Sequence, residues 1–134
     1  MDFSALAVGQ SDSFEKTVTD ADVVMFAGVT GDTNPVHLSE DYAAGTMFET
    51  RIAHGMLSAG FISAVLGTKL PGPGAIYLSQ TLSFKAPVRI GDTVRATVTI
   101  ESLDEKRRRA VFDCACHVGD TLVTQGTATI MIPK

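Results

Sequence analysis

The sequence has too few cysteines for a disulfide framework or a cysteine-rich metal site. Cys114 and Cys116 are the only two. They stand two residues apart in a predicted strand, where both side chains face the same way and a bond between them would be badly strained. We therefore interpret them as small core residues of a protein in a reducing compartment, and we expect a cytoplasmic location.

An excess of positive charge is also missing. The 11 lysines and arginines are outnumbered by 15 aspartates and glutamates, which gives a net charge of −4. This balance offers no electrostatic attraction to nucleic acid or to an anionic membrane surface, so we expect neither partner. No apolar run reaches the roughly 20 residues that span a bilayer, and no charged-then-apolar leader is visible.

Several motifs of cofactor and metal chemistry are absent as well. The chain contains no glycine-rich phosphate loop, no cluster with metal-ligand spacing and no Gly-x-Ser-x-Gly nucleophile motif. We therefore expect no bound cofactor and no metal. Linkers, internal repeats and low-complexity tracts are missing too, so 134 residues with 45% apolar content predict one globular domain over residues 1–134.

A short polar motif between Gly31 and His37 stands out against this background. Asp32 and His37 are five residues apart, and Asn34 precedes Pro35 between them. Proline disfavours helical angles at the residue before it and removes a backbone donor, so we expect a stiff loop and not a helix here. A carboxylate and an imidazole on such a loop suit proton transfer. The alternative is an ordinary turn in which Asp and Asn side chains only satisfy nearby amides.

The longest predicted helix runs from Gly55 to Thr68 and contains no charged residue. At roughly 1.5 Å per residue it is about 21 Å long, too short to cross a membrane. A helix that is apolar on every side must be surrounded, so we expect it in the core. The sequence Leu70-Pro71-Gly72-Pro73-Gly74 ends it sharply.

Alternation with a period of two predicts that most of the remaining chain forms antiparallel strands with one buried face. A curved sheet wrapped around the apolar helix gives an α+β fold, and a second copy or flanking segments would cover the remaining helix surface. We therefore expect a homodimer with the two sheets adjoining edge to edge. The predicted elements are a loose arm over residues 1–12, strands over 13–18, 76–84, 93–100, 110–118 and 121–132, and short helices over 20–27 and 39–44.

These patterns have a family likeness. The stretches from Phe26 to His37, from Ala53 to Met56, from Leu70 to Tyr77 and from Ser83 to Asp92 resemble the MaoC-like hydratases of the hot dog fold, and the (R)-specific enoyl-CoA hydratases in particular. The resemblance covers nearly the whole chain. It implies a hot dog fold, an antiparallel sheet wrapped around a central apolar helix with short overhanging helices before it.

The activity implied by this resemblance is (R)-specific hydration of trans-2-enoyl-CoA to (R)-3-hydroxyacyl-CoA. It implies that Asp32 and His37 share one water and move its protons, with the base and the acid not assigned between them. Gly55 opens the apolar helix, so its free N–H can stabilise the charge that develops on the thioester oxygen. The alternative for Gly55 is a glycine that only marks the start of the helix.

Four further residues receive supporting roles. Asn34 is expected to brace the loop through its side-chain amide. Ser63 lies near the Gly55 side of the helix and either hydrogen-bonds Asp32 or bonds its own helix carbonyl four residues back. Leu66 and Met131 are expected to line the acyl pocket and to limit chain length, or else to pack in the core.

Other polar residues remain open. His54 is interpreted as structural and His117 as a surface residue. The run from Lys106 to Arg109 is either a solvated turn or a contact for the phosphates of coenzyme A. Arg51, Lys69, Lys85 and Arg89 are equally open candidates for the phosphates.

The expected metabolic setting is monomer supply for polyhydroxyalkanoate synthesis or fatty-acid metabolism. Three alternative functions use the same fold. They are dehydration of 3-hydroxyacyl groups on acyl carrier protein, hydrolysis of acyl-CoA by a thioesterase, and binding of acyl-CoA without catalysis. The presence of both Asp32 and His37 argues against the binding module, and the spacing of the motif argues against the thioesterase.

Overall fold

A computed structural model describes residues 2–134, which form an antiparallel sheet with one long helix packed against it. The predicted α+β class is confirmed. A 3-10 turn over Phe3–Ala5 precedes the first strand. The helices are α1 (Asp20–Thr30), α2 (Pro35–Leu38), α3 (Glu40–Ala44) and α4 (Gly55–Thr68), and the strands are β1 (Ser11–Thr17), β2 (Ile76–Gln80), β3 (Ser83–Phe84), β4 (Thr93–Asp104), β5 (Arg109–Val118) and β6 (Thr121–Met131).

The sheet has the order β1-β4-β5-β6-β2, and β3 pairs with β6 beside β2. All pairings are antiparallel. The alternation predicted for the two central strands is confirmed, because one face of each is buried and the other is partly exposed. The buried side chains are Val94, Ala96, Val98 and Ile100 on β4 and Ala110, Phe112, Cys114 and Cys116 on β5.

Helix α4 has both ends where the sequence predicts them. It packs against the sheet through side chains at helical spacing, namely Ser58, Phe61, Ile62, Val65 and Leu66. The opposite side, which includes Met56, Gly60, Ser63 and Gly67, is exposed in one chain. A single chain thus covers only one side of α4, and the covering of the other side by a second copy stays a prediction. No helix within residues 2–134 is long and apolar enough to cross a membrane.

The single strand predicted over residues 76–84 is wrong. The chain forms two short strands, β2 and β3, and the residues from Ile76 to Ser79 are exposed on both faces. The cause lies on the neighbouring strand β6. At Gly126 a Cβ atom would stand 1.7 Å from the carbonyl oxygen of Thr81, so the backbone of Thr81 passes where a side chain would otherwise be. This close crossing separates the segment that pairs with β6 into β2 and β3.

The N-terminal arm is more ordered than the sequence suggests. Phe3 and Leu6 are buried, and β1 begins at Ser11, two residues earlier than predicted. The guanidinium of Arg108 lies 5.7 Å from the ring centroid of Phe3 and donates to the carbonyls of Ile132 and Pro133. These contacts fasten the first turn to the end of the chain.

The expectation that no helix forms between Gly31 and His37 is also wrong, but only for its last residues. Asn34 adopts φ −52° and ψ 124°, outside the helical region as predicted, and Pro35 then starts the one-turn helix α2. Proline is tolerated at the first position of a helix because its missing N–H would have no partner there. His37 therefore stands on a short helix and not on a loop.

The Thr81 crossing yields a stability prediction. We expect Gly126→Ala to lower the free energy of unfolding by about 1–3 kcal/mol or more, because the new methyl group must displace backbone and not a flexible side chain. Gly28→Ala is the matched control, since Gly28 lies within α1 and a Cβ there meets nothing within 4 Å. The control should stabilise the protein by up to about 1 kcal/mol. Equal midpoints for both variants in urea unfolding would contradict the close crossing.

Candidate active site

The ends of α1 define where the polar motif begins. Thr19 and Asp22 form a reciprocal capping box at its start. At its end Gly31 adopts a left-handed φ of 80° and donates its N–H to the carbonyl of Ala27. A residue with a side chain is strained in that conformation, so glycine allows the chain to turn sharply out of the helix. Asp32 follows directly.

Side-chain oxygens brace the turn that carries Asp32. The N–H of Asn34 donates to Oδ1 of Asp32 at 3.3 Å, and the N–H of Val36 donates to Oδ1 of Asn34 at 3.2 Å. Asn34 thus caps the start of α2. Both hydrogen bonds keep the turn between Asp32 and His37 compact.

His37 is held at its ring and at its main chain by the segment before α4. Its Nδ1–H donates to the carbonyl of Ile52 at 2.7 Å, because a carbonyl can only accept. The other ring nitrogen, Nε2, is left as an acceptor in the neutral imidazole. Nε of Arg51 donates to the carbonyl of His37 at 2.7 Å, and its guanidinium pairs with Asp20 at 2.7 Å.

Asp32, His37 and His54 come together at the start of α4. Each offers a carboxylate oxygen or a ring nitrogen, and these three atoms lie within 4.8 Å of one another. One water with hydrogen bonds of about 2.8 Å can bridge two groups at such a separation. In a single chain the site is open on one side, since Asp32 is exposed while both histidines are buried.

The same three residues are a poor match for a metal ion. The rings of His37 and His54 are stacked, with centroids 3.9 Å apart and planes 29° apart. One nitrogen of each ring also donates to a main-chain carbonyl. The arrangement suits a hydrogen-bonded water better than a coordinated cation.

Burial controls the protonation of His37. Loss of solvent lowers the pKa of His37 below its ordinary value of 6.5, and the neighbouring His54 lowers it further. The hydrogen bond to the carbonyl of Ile52 and the charge of Asp32 act in the opposite direction and do not reverse the shift. His37 is therefore neutral at pH 7, with Nε2 ready to accept a proton.

Gly55 lies at the first position of α4, directly after His54. The N–H groups of a first helical turn have no partner within their helix, and the helix dipole is positive at this end. The ring of Phe84 occupies the space beside Gly55, where a Cβ would stand 2.7 Å from Cε1. A glycine is therefore required for this ring to approach the backbone.

Two cavities meet at the site. One has a volume of about 470 Å³ and is lined by His37, His54 and Gly55, with Phe84 and Lys85 at its wall. The other has a volume of about 550 Å³ and an almost entirely apolar surface. Its lining residues include Phe26, Ser63, Tyr77, Gln80 and Leu82. Asp32 and Met56 line both cavities, so the carboxylate stands where the two meet.

The predicted supporting residues Ser63, Leu66 and Met131 lie in different surroundings. Ser63 is exposed toward the larger cavity, and within residues 2–134 its hydroxyl makes no hydrogen bond with Asp32 or with its own helix. Leu66 is 1% exposed in the core, and Met131 is half-buried at the end of β6. Neither lines the two cavities of a single chain. Their role in limiting acyl length stays a prediction.

Three of the cations considered for the coenzyme A phosphates are engaged elsewhere. Arg51 joins His37 to α1, and Nζ of Lys69 donates to the carbonyl of Ser13. Arg108 contacts the end of the chain. Lys85 is the candidate that lines the cavity of His37 and Gly55.

His54 donates to the carbonyl of Asp32 and stacks on His37, which fits the structural role expected for it. Sequence reasoning missed two other residues of the site. Arg51 was considered only as a phosphate ligand, and Phe84 only as one residue of a strand face. The position of His54 directly before Gly55 was a usable signal. A side chain at the start of α4 lies close to the groups that the first free amide of the helix faces. Nothing local in the sequence pointed to Phe84 or to the Arg51 contacts.

Comparisons with known proteins identify the family of the chain. A family model described as MaoC like domain matches residues 4–125. The chain is 58% identical to an (R)-specific enoyl-CoA hydratase of Rhodospirillum rubrum over 131 residues, which cover 98% of this chain and 91% of the relative. It is 56% identical to a 3-hydroxybutyryl-CoA dehydratase of Methylorubrum extorquens, over 98% of this chain and 84% of the relative. The solved structure of an (R)-hydratase from Aeromonas caviae involved in PHA biosynthesis superposes with a TM-score of 0.93 at 42% identity, over 96% of this chain and 98% of that one.

The lowered pKa of His37 can be measured by nuclear magnetic resonance. We expect the ring of His37 to titrate with a midpoint below 6.5. Asp32→Asn should lower the midpoint further, because it removes the negative charge that favours the imidazolium. Asp120→Asn, in the turn between β5 and β6, is the control and should leave it unchanged. A midpoint at or above 6.5, or a rise in Asp32→Asn, would contradict the described surroundings of His37.

Proposed function

The chain belongs to the MaoC-like domain family and has its hot dog fold, and from that premise we propose how it acts as an (R)-specific enoyl-CoA hydratase. This hydro-lyase adds water across the double bond of a trans-2-enoyl-CoA and forms (R)-3-hydroxyacyl-CoA. The observation that carries the mechanism is the approach of Asp32 and His37 to within 4.8 Å of each other beside the first amide of α4.

Water is the group that this pair activates. The thioester carbonyl makes Cβ of the substrate electrophilic, but free water is a weak nucleophile. A water between the Asp32 carboxylate and Nε2 of His37 donates one hydrogen bond to each. As its oxygen bonds to Cβ, one of these groups accepts one water proton, and the other hydrogen stays on the new hydroxyl group. The accepted proton then passes to Cα of the enolate from the same side, which returns the pair to its starting state. General acid–base catalysis of this kind contributes about 10²–10⁴ in rate.

Gly55 supplies the second part of the mechanism. Negative charge develops on the thioester oxygen as water attacks, and the N–H of Gly55 points from the positive end of the α4 dipole. The absence of a side chain at Gly55 leaves room for the ring of Phe84 beside this end of the helix. One oriented donor in such a place contributes roughly 3–4 kcal/mol of transition-state stabilisation.

Each of the two cavities accepts a different part of the substrate. The larger, apolar cavity accepts the acyl chain, and the cavity with Lys85 at its wall accepts the thioester end of coenzyme A. Asp32 stands at their junction, where Cβ of the substrate would lie. The reaction uses only side chains and main-chain groups of the protein, so we propose that no cofactor or metal takes part.

The active molecule is proposed to be a homodimer formed through the β2 edge. The other edge of the sheet, β1, carries Asp12, Glu15 and Lys16, and such charges prevent strand pairing. The β2 edge has no charge, and its side chains Ile76, Tyr77 and Leu78 are 39%, 40% and 41% exposed. Pairing two β2 strands joins the sheets edge to edge and brings the exposed faces of two α4 helices together.

The metabolic role we propose is supply of hydroxyacyl monomers for polyhydroxyalkanoate synthesis or a step of fatty-acid metabolism. Both settings require the same interconversion of enoyl and hydroxyacyl thioesters. They differ in acyl length and in the enzymes that follow, which a substrate series from four to twelve carbons would separate.

Hydration is tested with crotonyl-CoA. We expect loss of the enoyl absorbance without release of free thiol, and we expect Asp32→Asn and His37→Gln each to lower kcat at least about a hundredfold. His117→Gln, on β5, is the matched control and should keep normal turnover. Near-normal turnover in either site variant would remove that residue from the mechanism.

The same assay separates the other activities. Thiol release would indicate a thioesterase, and no change in the substrate would indicate a binding module. Faster turnover of the same acyl group on acyl carrier protein than on coenzyme A would indicate the carrier-protein dehydratase.

The dimer is tested by sedimentation equilibrium. We expect the native protein to have twice the chain mass of 14.2 kDa, and Leu78→Glu to sediment as a single chain, because like charges would face each other across the β2 edge. Val8→Glu is the control, since Val8 is exposed but lies before β1. A native protein at 14.2 kDa, or a dimeric Leu78→Glu variant, would contradict this assembly.

A further inference from the structure

His54 is buried beside the reacting groups, yet the proposed chemistry gives it no part. Its side chain is 2% exposed. Nε2 donates to the main-chain carbonyl of Asp32 at 2.9 Å, and its ring stacks on that of His37 with centroids 3.9 Å apart. The centroid of the Phe26 ring lies 4.8 Å from the centroid of the His54 ring. His54 thus contacts both members of the catalytic pair.

The hydrogen bonds of His54 define its tautomer. A carbonyl can only accept, so Nε2 carries the hydrogen that reaches Asp32. Nδ1 is buried and has no hydrogen-bond partner within residues 2–134. If Nδ1 also carried a hydrogen, a charged ring would be buried with an unpaired donor, which is far more costly than an unused lone pair. The surroundings therefore require a neutral ring with the hydrogen on Nε2.

We propose that His54 is a positioning residue that fixes Asp32 and His37 relative to each other and to Gly55. Its Nε2–H holds the main chain of Asp32, the residue whose carboxylate contacts the water. Its ring face limits rotation of the His37 imidazole, whose other restraint is the bond to Ile52. Because His54 directly precedes Gly55, the same side chain ties the start of α4 to the loop after α1.

This role rests on the proposed hydratase function and adds a residue that does not touch the reacting atoms. Errors of about 1 Å in the placement of catalytic groups can lower a rate by about a hundredfold. Loss of a positioning contact should therefore appear mainly in kcat, with a smaller effect on KM, because the two substrate cavities remain.

The first test uses the unmodified protein. It contains three histidines, so nitrogen-labelled imidazoles can be observed individually by nuclear magnetic resonance. At pH 7.5 we expect His54 as the Nε2–H tautomer and His37 as the Nδ1–H tautomer, with His117→Gln used for assignment. A neutral His54 ring that carries its hydrogen on Nδ1 would overturn the proposal, because Nε2 could then not donate to the carbonyl of Asp32.

The second test uses two substitutions that separate the contacts. His54→Gln keeps an amide donor near the position of Nε2 and loses the ring, whereas His54→Phe keeps the ring and loses the donor. We expect each to lower kcat about tenfold or more and to change KM by less than about threefold. His117→Gln should match the native enzyme. Values of kcat within twofold of native for both His54 variants would overturn the positioning role.

A pH profile distinguishes positioning from general loss of structure. Asp32 and His54 are the titratable side chains that face His37, and the guanidinium of Arg51 binds its main-chain carbonyl. In His54→Gln the acid limb of kcat/KM should move to higher pH, because loss of the stacked ring leaves His37 less buried and burial is the main cause of its lowered pKa. An unmoved limb in a folded variant would contradict the contact between the rings.

The two proposals can fail separately. A native protein that hydrates no enoyl-CoA would remove the proposed function, while the tautomers would still report the contacts of His54. A native protein with full activity and His54 variants with the same activity would remove only the positioning role. If neither variant folds, the tautomer of His54 in the native protein decides.

Discussion

Two hydrogen bonds join the turn after α1 to the segment that leads into α4, and the rest of the site depends on them. Nδ1–H of His37 donates to the carbonyl of Ile52, and Nε2–H of His54 donates to the carbonyl of Asp32. The donor His37 follows the turn after α1, and the donor His54 lies in the segment before α4, so each segment restrains the other. This reciprocal pair places the carboxylate, the imidazole and the first amide of α4 around one point. Burial then keeps His37 neutral, which the proposed proton transfer requires.

The main contribution of the sheet to the site is to position α4. Strands β4 and β5 bury one continuous apolar face, and α4 lies on that face with its N-terminus at the polar motif. The opposite face of α4 and the uncharged β2 edge are left open in a single chain. One surface thus supplies the larger cavity and the proposed dimer contact, so the acyl site and the assembly are coupled in this account.

Much of this was readable from the sequence, because its signals were local. The charge-free run predicted α4 to the residue, period-two alternation predicted the buried faces of β4 and β5, and the motif predicted that Asp32 and His37 face one cleft. Other features depended on contacts between distant segments. Thr81 crosses β6 at Gly126 and divides residues 76–84 into two strands, although their sequence alternates as a single strand would. Arg51 is held by α1 and α2, and nothing near it in sequence indicates these contacts. The helix at Pro35 was missed because proline was treated as a helix breaker, although the first position of a helix accepts it.

The central claim is that a thioester bound at the start of α4 presents Cβ to a water shared by Asp32 and His37. A crystal structure of Asp32→Asn soaked with an enoyl-CoA tests it most directly, because the slowed variant should retain the substrate. We expect the thioester oxygen within hydrogen-bonding distance of the Gly55 N–H, at about 3 Å, with Cβ facing the gap between residues 32 and 37. A thioester oxygen directed away from that amide, or an acyl chain whose Cβ lies outside the gap, would contradict it.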